Sequence, residues 1–215
     1  MFSKIFPKIH AEGYKFLVIA GIITIVLYSF SDFFGLIGFV LTIWVYYFFR
    51  DPERYSINDE SFLVSPADGL ITDISERTGP LELQLENTSF TKVSIFMNVF
   101  NCHVNRTPCS GVIENILYHP GKFLNATLDK SSDENERNYY KIKTNDGEQI
   151  LVVQIAGLIA WRIICEVKKE DILKQGERIG MIRFGSRVDI YFNNKKLLAK
   201  VGQNVVAGES LIAEG

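Results

Sequence analysis

The sequence predicts a mainly β protein: a compact β-sandwich or barrel with hammerhead-like halves, preceded by an N-terminal transmembrane helical hairpin. Three observations lead to this fold class. Residues 16–49 are almost wholly apolar, with Asp32 as their one charged residue. After residue 51, short β-rich runs alternate with turn residues, which is typical of sandwiches and barrels. Two similar segments near the C-terminal end, 168–182 and 199–213, indicate a repeated β unit.

The composition is that of a folded protein with little net charge. The chain has 215 residues, a formal charge of −2 and 47% hydrophobic residues, which suits one domain with an appendage. This charge balance argues against a general nucleic-acid binder, because such proteins carry a strongly basic face. The three cysteines, Cys102, Cys109 and Cys165, are odd in number and lack a C-x-x-C pair. They favour a reducing compartment, and Cys102 and Cys109 are expected to be buried.

The apolar stretch divides at Ser31-Asp32 into two helices, at about residues 16–30 and 33–49. Each is close to the length that crosses a bilayer. Lysines precede the first run and arginines follow the second, so the positive-inside rule places both ends in the cytoplasm. Residues 1–50 are therefore predicted to anchor the chain in the cell (inner) membrane, with residues 51–215 on the cytoplasmic face. A secretory signal and a buried soluble hairpin are the competing interpretations.

Eight β-rich runs build the predicted domain of residues 51–215. The segments between them are rich in Gly, Pro, Asn and Asp, as expected for hairpins and corners. No segment of this region shows a long apolar stripe of helical period. The predicted strands are 70–74, 92–97, 111–118, 139–143, 149–156, 161–167, 178–184 and 187–192.

The two C-terminal segments, KKEDILKQGERIGMI and AKVGQNVVAGESLIA, share one order of charged, apolar and glycine positions. Each has a glycine turn that leads into an apolar strand, as in the half-units of hammerhead-type barrels in biotinyl and lipoyl carriers. Two copies are too few for a solenoid. A membrane-tethered carrier is therefore one alternative function, with Lys195 and Lys196 as its candidate attachment sites.

The common catalytic motifs are missing from the chain. It contains no G-x-G-x-x-G, P-loop, H-E-x-x-H or G-x-S-x-G sequence. His103 and His119 could bind a metal ion together with an aspartate, so a metal-dependent hydrolase is a second alternative. Their spacing is not diagnostic of a metal site, and we predict none.

Four patches are more specific than these histidines. They are FFRDPER (48–54), SPADG (65–69), NVFNCHVNRTPCSG (98–111) and GERIGMIRFGSRVDIY (176–191). In this order they resemble the phosphatidylserine decarboxylase proenzyme family, in its short pyruvoyl-dependent form. The strongest element is IRFGSRVD, which resembles the site where members of the family cleave their own chain. The resemblance runs from about Phe48 to the C-terminal end.

This resemblance implies a carboxy-lyase that converts phosphatidylserine to phosphatidylethanolamine and carbon dioxide. Decarboxylation of an amino acid needs an electron sink, which a carbonyl supplies when it forms a Schiff base with the substrate amine. In the family, a serine hydroxyl attacks the preceding glycine carbonyl, and elimination and hydrolysis leave a pyruvoyl group. Here Ser186 would attack Gly185, giving a β chain of residues 1–185 and an α chain of residues 186–215. The cofactor would be the pyruvoyl group from Ser186, with no pyridoxal phosphate and no metal.

The resemblance also implies roles for individual residues. His103 would transfer a proton in catalysis, because an imidazole titrates near pH ~6.5. Asp68, in the ADG turn, would orient or deprotonate a partner during self-cleavage. Longer family members carry a second histidine three residues after the first and cleave within LGST, whereas this chain has Arg106 and FGSR. Either His103 serves both steps, or Arg106 or a water molecule replaces the second histidine.

Substrate binding requires cations or backbone N–H groups for a phosphodiester and a carboxylate. By their place in the motifs, the predicted substrate-binding residues are Arg106, His119, Lys122, Arg183 and Arg187. The expected partners are phosphatidylserine in the membrane, the α and β chains of the same proenzyme and a possible second copy in a homo-oligomer. No nucleic acid is expected. Serine lipids with ether tails are an alternative substrate.

Overall fold

A computed structural model describes residues 7–121, 135–157, 162–183 and 186–215. The chain divides into two compact units, Met1–Glu53 and Arg54–Gly215. The roles predicted for residues 1–50 and 51–215, a membrane anchor and a catalytic domain, stay predictions.

Two apolar helices form most of the first unit: α1 (Gly13–Phe30) and α2 (Asp32–Phe48). Ser31 separates them, and its Oγ accepts the Phe33 N–H at 3.2 Å, which caps the start of α2. α1 is long and apolar enough to cross a membrane, whereas α2, with 17 residues, is one residue shorter. Two short strands, β1 (Lys8–Ile9) and β2 (Arg50–Asp51), pair antiparallel beyond the helix ends.

The two helices lie antiparallel and contact each other through small residues. The hydroxyls of Thr24 and Thr42 are 2.9 Å apart. Gly38 lies against Thr24, and Gly35 lies against the Tyr28 ring, where a Cβ would clash. Close contact through Gly and Thr is typical of helices that pack within a bilayer. Most of the large apolar side chains on both helices are exposed, and their insertion as a transmembrane hairpin stays a prediction.

The second unit is mainly β, as predicted. Each of the eight predicted runs overlaps a strand. The run 161–167 is a strand only over Arg162–Cys165, and residues 161 and 184 lie outside the described residues. A 3-10 turn lies at Leu81–Leu83. The strands of this unit are β3 (Phe62–Val64), β4 (Gly69–Thr78), β5 (Ser89–Met97), β6 (Val104–Arg106), β7 (Gly111–His119), β8 (Arg137–Lys143), β9 (Gln149–Ala156), β10 (Arg162–Cys165), β11 (Ile172–Leu173), β12 (Arg178–Arg183), β13 (Ser186–Phe192), β14 (Lys196–Leu197), β15 (Asn204–Val205) and β16 (Leu211–Glu214).

Eight of these strands form one antiparallel sheet in the order β11-β7-β8-β9-β13-β5-β4-β15. β13 lies in the middle of this sheet, hydrogen-bonded to β9 on one side and to β5 on the other. Two three-stranded sheets, β10-β12-β6 and β14-β16-β3, complete the unit. The main apolar core joins Val188 and Ile190 of β13 to residues of the smaller sheets, such as Ile182 and Ile212.

A second, smaller apolar cluster lies on the opposite face of the large sheet. Tyr191 of β13 packs against it. Successive side chains of a strand point to opposite faces, so Arg187, Asp189 and Tyr191 face this cluster while Ser186, Val188 and Ile190 face the main core. The cluster consists of Leu83, Phe90, Tyr139, Leu151, Val153 and Ile155.

The internal repeat extends beyond the two segments found in the sequence. β15 pairs with the start of β4, and β11 pairs in the same way with the start of β7. Both partner strands follow a similar turn, at 65–69 and 107–111, and both have an irregular register just after Ile71 and Ile113. The SPADG and TPCSG sequences are therefore equivalent.

Reciprocal hydrogen bonds relate the two halves to each other. The Val64 N–H donates to the Pro108 carbonyl and the Arg106 N–H donates to the Pro66 carbonyl, both at 2.9 Å. Each half is therefore hydrogen-bonded to the turn of the other half. The likeness of these halves to the hammerheads of carrier proteins stays a prediction.

Candidate active site

Arg54, the last residue of the first patch, and the other three patches meet in the second unit. The turn at 65–69 contacts two of them: Arg54 Nη2 donates to Asp68 Oδ2 at 2.8 Å, and the Arg106 N–H donates to the proline carbonyl of the turn at 2.9 Å. β6, which directly follows His103, pairs with β12 of the fourth patch. Residues that are more than a hundred positions apart in the chain therefore surround one region.

Ser186 is the first residue of β13, in the middle of the large sheet. Its neighbours across the ladder are Met97 on β5 and Ala156 on β9. The residue is fully buried, and its Oγ has no hydrogen-bond partner in the described part of the chain. A buried hydroxyl without a partner costs stability, because it loses its hydrogen bonds to water. Gly185 lies outside the described residues.

A chain of buried polar side chains runs along the core face of the sheet towards Ser186. The Tyr140 hydroxyl lies 2.7 Å from Gln154 Oε1, and Gln154 Nε2 donates to Asn105 Oδ1 at 2.9 Å. Asn105 Nδ2 lies 3.6 Å from the sulfur of Met97, the residue opposite Ser186. Burial raises the pKa of Tyr140 well above its usual range, so this hydroxyl stays protonated and remains a donor.

Sequence reasoning did not assign a role to these three polar residues. Asn105 lay within the quoted HVNRTPCSG patch, and Gln154 is a lone amide near the end of the apolar run QILVVQIA. A buried polar side chain within an apolar strand needs a hydrogen-bond partner, and this requirement was the signal in the sequence that could have identified Gln154. The partners could not be identified, because they come from β6, β8 and β9.

His103 is fully buried beside the strand that leads to Ser186. Its carbonyl accepts the Ile182 N–H at 3.3 Å, four residues before Ser186 in the chain. Its Nδ1 lies 3.0 Å from the Asn101 carbonyl oxygen. A carbonyl can only accept, so we assign the ring hydrogen to Nδ1 and the basic lone pair to Nε2.

Asp68 uses both carboxylate oxygens. Oδ2 accepts from Arg54, and Oδ1 accepts the Ala207 N–H at 2.8 Å. Both partners of the ion pair are largely buried, with side-chain exposures of 16% for Arg54 and 11% for Asp68. The next residue, Gly69, lies against the Phe96 carbonyl, where a Cβ could not fit. Asp68 therefore sits beside the end of β5 that carries Met97.

The predicted substrate-binding residues that the structure describes lie in different places. The Arg106 guanidinium is buried and donates to the Gly176 carbonyl at 2.8 Å. Arg187 lies on the opposite sheet face from Ser186, where it forms a buried ion pair with Asp189 at 2.9 Å. Their binding roles stay predictions.

The other three predicted binding residues lie elsewhere. Arg183 is buried at the end of β12, opposite Arg162 of β10. His119 is half-buried at the end of β7, opposite Arg137 of β8. Lys122 lies outside the described residues.

The two alternative functions find no support in the geometry. Among the described residues, no three His, Cys, Asp or Glu side chains come together as metal ligands. Lys195, a candidate attachment site of a carrier, has a side chain only 4% exposed and pairs with Glu148 at 2.7 Å. Burial raises the pKa of Cys109 to about 12, so this thiol is not a nucleophile at neutral pH.

Comparison with known proteins agrees with the resemblance noted in the sequence. The family model described as phosphatidylserine decarboxylase matches residues 41–213. A protein of Pelagibacter ubique named phosphatidylserine decarboxylase proenzyme is 68% identical over 214 residues, which cover 100% of both chains. Proteins of the same name are 50% identical in Ruegeria pomeroyi, covering 95% of this chain and 94% of the relative, and 47% identical in Rickettsia prowazekii, covering 99% and 93%. Because the family model matches residues 41–213 and these relatives cover 95–100% of the sequence, the chain belongs to the phosphatidylserine decarboxylase family.

Proposed function

We propose that this protein is a pyruvoyl-dependent carboxy-lyase that converts phosphatidylserine to phosphatidylethanolamine and carbon dioxide. The observation that carries the proposal is Ser186 at the start of the central strand β13, directly after Gly185 in the sequence and with a fully buried hydroxyl that has no hydrogen-bond partner among the described residues. The relatives that match the whole chain are named proenzymes, which fits a chain that must be processed before it acts.

The proposed maturation begins with attack of Ser186 Oγ on the carbonyl carbon of Gly185. The peptide C–N bond breaks, an ester forms, and the hydroxyl proton passes to the new amine. Elimination then releases residues 1–185 with a carboxylate terminus and leaves a dehydroalanine at position 186. Water adds and ammonia departs, so residues 186–215 begin with a pyruvoyl group.

The surroundings of Ser186 fit such a group. A pyruvoyl group has no more atoms than the serine from which it is made, so it needs no extra space at this position. The hydroxyl that is lost makes no hydrogen bond to a described residue, so its departure leaves no partner unsatisfied. The pyruvoyl group lacks a backbone N–H, so the ladders to β5 and β9 from Arg187 onward would hold the new terminus in place. A pyruvoyl carbonyl supplies the electron sink that decarboxylation requires.

His103 is the proposed proton donor and acceptor. Its assigned tautomer leaves Nε2 as the basic nitrogen, and burial of the ring restricts exchange of the proton with bulk water. Asp68 is proposed to act in self-cleavage by orienting its neighbours, because both of its oxygens already accept hydrogen bonds. Arg54 would keep that carboxylate in one orientation.

We also propose that α1 and α2 anchor the protein in the cell (inner) membrane with the catalytic domain, 51–215, on the cytoplasmic face. The length of α1, its exposed apolar surface and the positive residues outside both helices support this. A tether at the bilayer surface restricts the search for a lipid headgroup to that surface. The hammerhead-like halves would then serve as the scaffold that presents Ser186.

The test is an intact mass measurement of the purified full-length protein under denaturing conditions. We expect two fragments divided after Gly185, the smaller one lighter by one ammonia than a peptide that starts with serine. Ser186→Ala should remain one chain and release no carbon dioxide from phosphatidylserine. A processed or active Ser186→Ala variant would overturn the proposal.

Ser94→Ala is the matched control. Ser94 lies on the neighbouring strand β5, is also buried, and its Oγ also lacks a partner in the described part of the chain. It lies opposite Asp189, on the sheet face that Ser186 does not share. Ser94→Ala should therefore be cleaved and active like the wild type.

A further inference from the structure

A cavity of about 410 Å³ opens on the core face of the large sheet, and Ser186 is not among the described residues that line it. Its floor includes Asn138 of β8. Asn138 pairs across the ladder with Gln154, which in turn pairs with Val188 of β13. The cavity therefore lies two strands away from β13 on the face that Ser186 shares. Its lining consists of Ile116, Tyr118, Asn138, Arg162, Ile163 and Cys165.

Two hydrogen-bond donors of this lining are available to a ligand. Asn138 is 2% exposed, and its Nδ2 has no hydrogen-bond partner of good geometry in the described part of the chain, although the amide lies near the Tyr140 hydroxyl. Arg162 is exposed and forms no ion pair with a described residue. A buried amide N–H that lacks a partner among the described residues is costly, and a bound ligand that accepts from it would remove this cost.

The other polar residues of the lining, Tyr118 and Cys165, are already engaged, Tyr118 with Glu136 behind the lining and the Cys165 thiol as donor to the Val167 carbonyl at 3.2 Å. Glu136 accepts the Ile163 N–H at 3.1 Å. Burial, and next the charge and hydrogen bond of Glu136, raise the pKa of the Tyr118 hydroxyl, so this hydroxyl donates to Glu136. The free hydrogen-bonding capacity of the cavity is therefore donor capacity, with a positive charge at the rim. Such a site selects a ligand that is rich in acceptors and negatively charged.

We propose that this cavity binds the phosphodiester of the lipid headgroup, with Asn138 Nδ2 and Arg162 as its donors. This assignment rests on the proposed function, because it places the serine amine and carboxylate at Ser186. Arg183, the ladder partner of Arg162, adds a second positive charge nearby.

The spacing between the two sites suits one headgroup. Two strand spacings of about 4.8 Å and an offset of two residues along the strand separate Asn138 from Ser186 by about 12 Å between Cα atoms. From serine nitrogen to phosphorus there are four bonds, or about 5 Å by the reach of an extended chain. The Asn138 side chain and one hydrogen bond of about 2.9 Å cover most of the remaining distance.

Cys165 allows the cavity to be tested without relying on activity. It lines the cavity and is exposed, whereas Cys102 and Cys109 are buried. The experiment measures the rate at which N-ethylmaleimide alkylates Cys165 in full-length Ser186→Ala, purified in detergent, with and without glycerophosphoserine. Alkylation should slow by the factor 1 + [L]/Kd, about tenfold at a concentration ten times Kd. Lack of protection by glycerophosphoserine would overturn the proposal.

Inorganic phosphate is the second arm of the experiment. It should protect Cys165 clearly less than glycerophosphoserine at equal concentration, because the glycerol and serine groups add contacts. Equal protection by both would identify a general phosphate site and overturn the headgroup assignment. Since Ser186→Ala cannot be processed, none of these results depends on whether the pyruvoyl proposal is correct.

Variants of the two donors complete the test. Arg162→Ala and Asn138→Asp should each remove protection by glycerophosphoserine, and Asn138→Asp changes only one atom of the buried side chain. Lys143→Ala, which removes an exposed cation from the same strand as Asn138, should retain protection. An unchanged alkylation rate without ligand shows that each variant is folded around Cys165. Full protection in Arg162→Ala or Asn138→Asp would overturn the proposal.

Discussion

Asp68 and Ser110 occupy equivalent positions in the two halves of the second unit, and each accepts a backbone N–H from the segment that crosses it. Asp68 Oδ1 accepts from Ala207 at 2.8 Å, and Ser110 Oγ accepts from Gln175 at 3.1 Å. The fold therefore needs only a hydroxyl-sized acceptor at this position. The second oxygen of Asp68, which accepts from Arg54, is therefore not needed to form this turn.

Asp68→Ser should separate these two roles. We expect the variant to fold, because serine provides the same hydrogen bond in the other half. Loss of the Arg54 ion pair should cost about 1–3 kcal/mol of unfolding free energy. Self-cleavage should slow by about 10²-fold or more, as measured by the ratio of cleaved to intact chain over time.

Ser110→Ala is the control for this substitution. It removes the equivalent hydrogen bond and should cost about 1 kcal/mol of unfolding free energy, with normal self-cleavage. If Asp68→Ser processes like wild type, Asp68 has only the structural role that Ser110 shows.

His103→Ala should slow self-cleavage, decarboxylation or both by about 10²–10⁴-fold, because it removes the proposed proton-transfer group. Mass spectrometry follows cleavage, and release of carbon dioxide from phosphatidylserine follows turnover. His10→Ala, in the first unit, should change neither. Wild-type values in both assays would exclude His103 from the site.

Gly176→Ala should destabilise the second unit more than Gly202→Ala. Both glycines have positive φ angles, +81° and +86°, which an alanine adopts at a cost of about 1–2 kcal/mol. A Cβ at Gly202 meets open space, whereas one at Gly176 would clash with Ser56. The clash should add about 1–3 kcal/mol, measurable by urea denaturation. Equal losses in the two variants would contradict the close approach of Ser56.

The unfolding free energy should fall above pH 9 in a way that depends on Cys109. Its pKa rises from 9.0 to about 12 on folding because of burial, so the folded state retains a proton that the unfolded state loses. The stabilisation is complete below pH 9 and is lost as pH rises towards 12, by about 1.4 kcal/mol per unit. Urea denaturation of wild type and Cys109→Ala between pH 8 and 10, in reductant, should show a smaller slope in the variant. Identical slopes would mean that the thiol is not buried in solution.

A variant that begins at Asp51 should test the membrane anchor. It removes α1 and α2 but keeps Arg54, so the Asp68 ion pair remains. We expect unchanged turnover of phosphatidylserine dispersed in detergent. On vesicles the rate should fall by about 10²-fold, because the tether no longer raises the effective concentration. Equal rates of full-length and shortened protein on vesicles would show that the anchor does not contribute to turnover.

The long strands could be predicted from the sequence because apolar alternation and turn residues mark them. Strands of two residues, such as β11 and β15, have no period that a sequence can show. They form because each crosses the start of a longer strand, β7 or β4, from the opposite half. Pairing of this kind depends on contacts far apart in the chain.

The motifs were sufficient to identify the family, whereas the contacts among the candidate site residues could not be predicted from them. Strand alternation alone places Arg187 on the face opposite Ser186, and the motif argument did not use it. The Asn105–Gln154 contact joins β6 to β9, so no local pattern could reveal it. Arg54 was visible in FFRDPER, but its ion pair with Asp68 required the fold.

The central position of β13 has a consequence for the lifetime of the mature enzyme. Cleavage after Gly185 would assign β13 to one product and its neighbours β5 and β9 to the other. The smaller product also supplies β15 and β16, which pair with β4 and β3 of the larger product. Global unfolding would then be a dissociation, and recovery would require two different chains to meet in dilute solution. Heat inactivation of the mature protein would be irreversible, whereas uncleaved Ser186→Ala would refold as a single molecule.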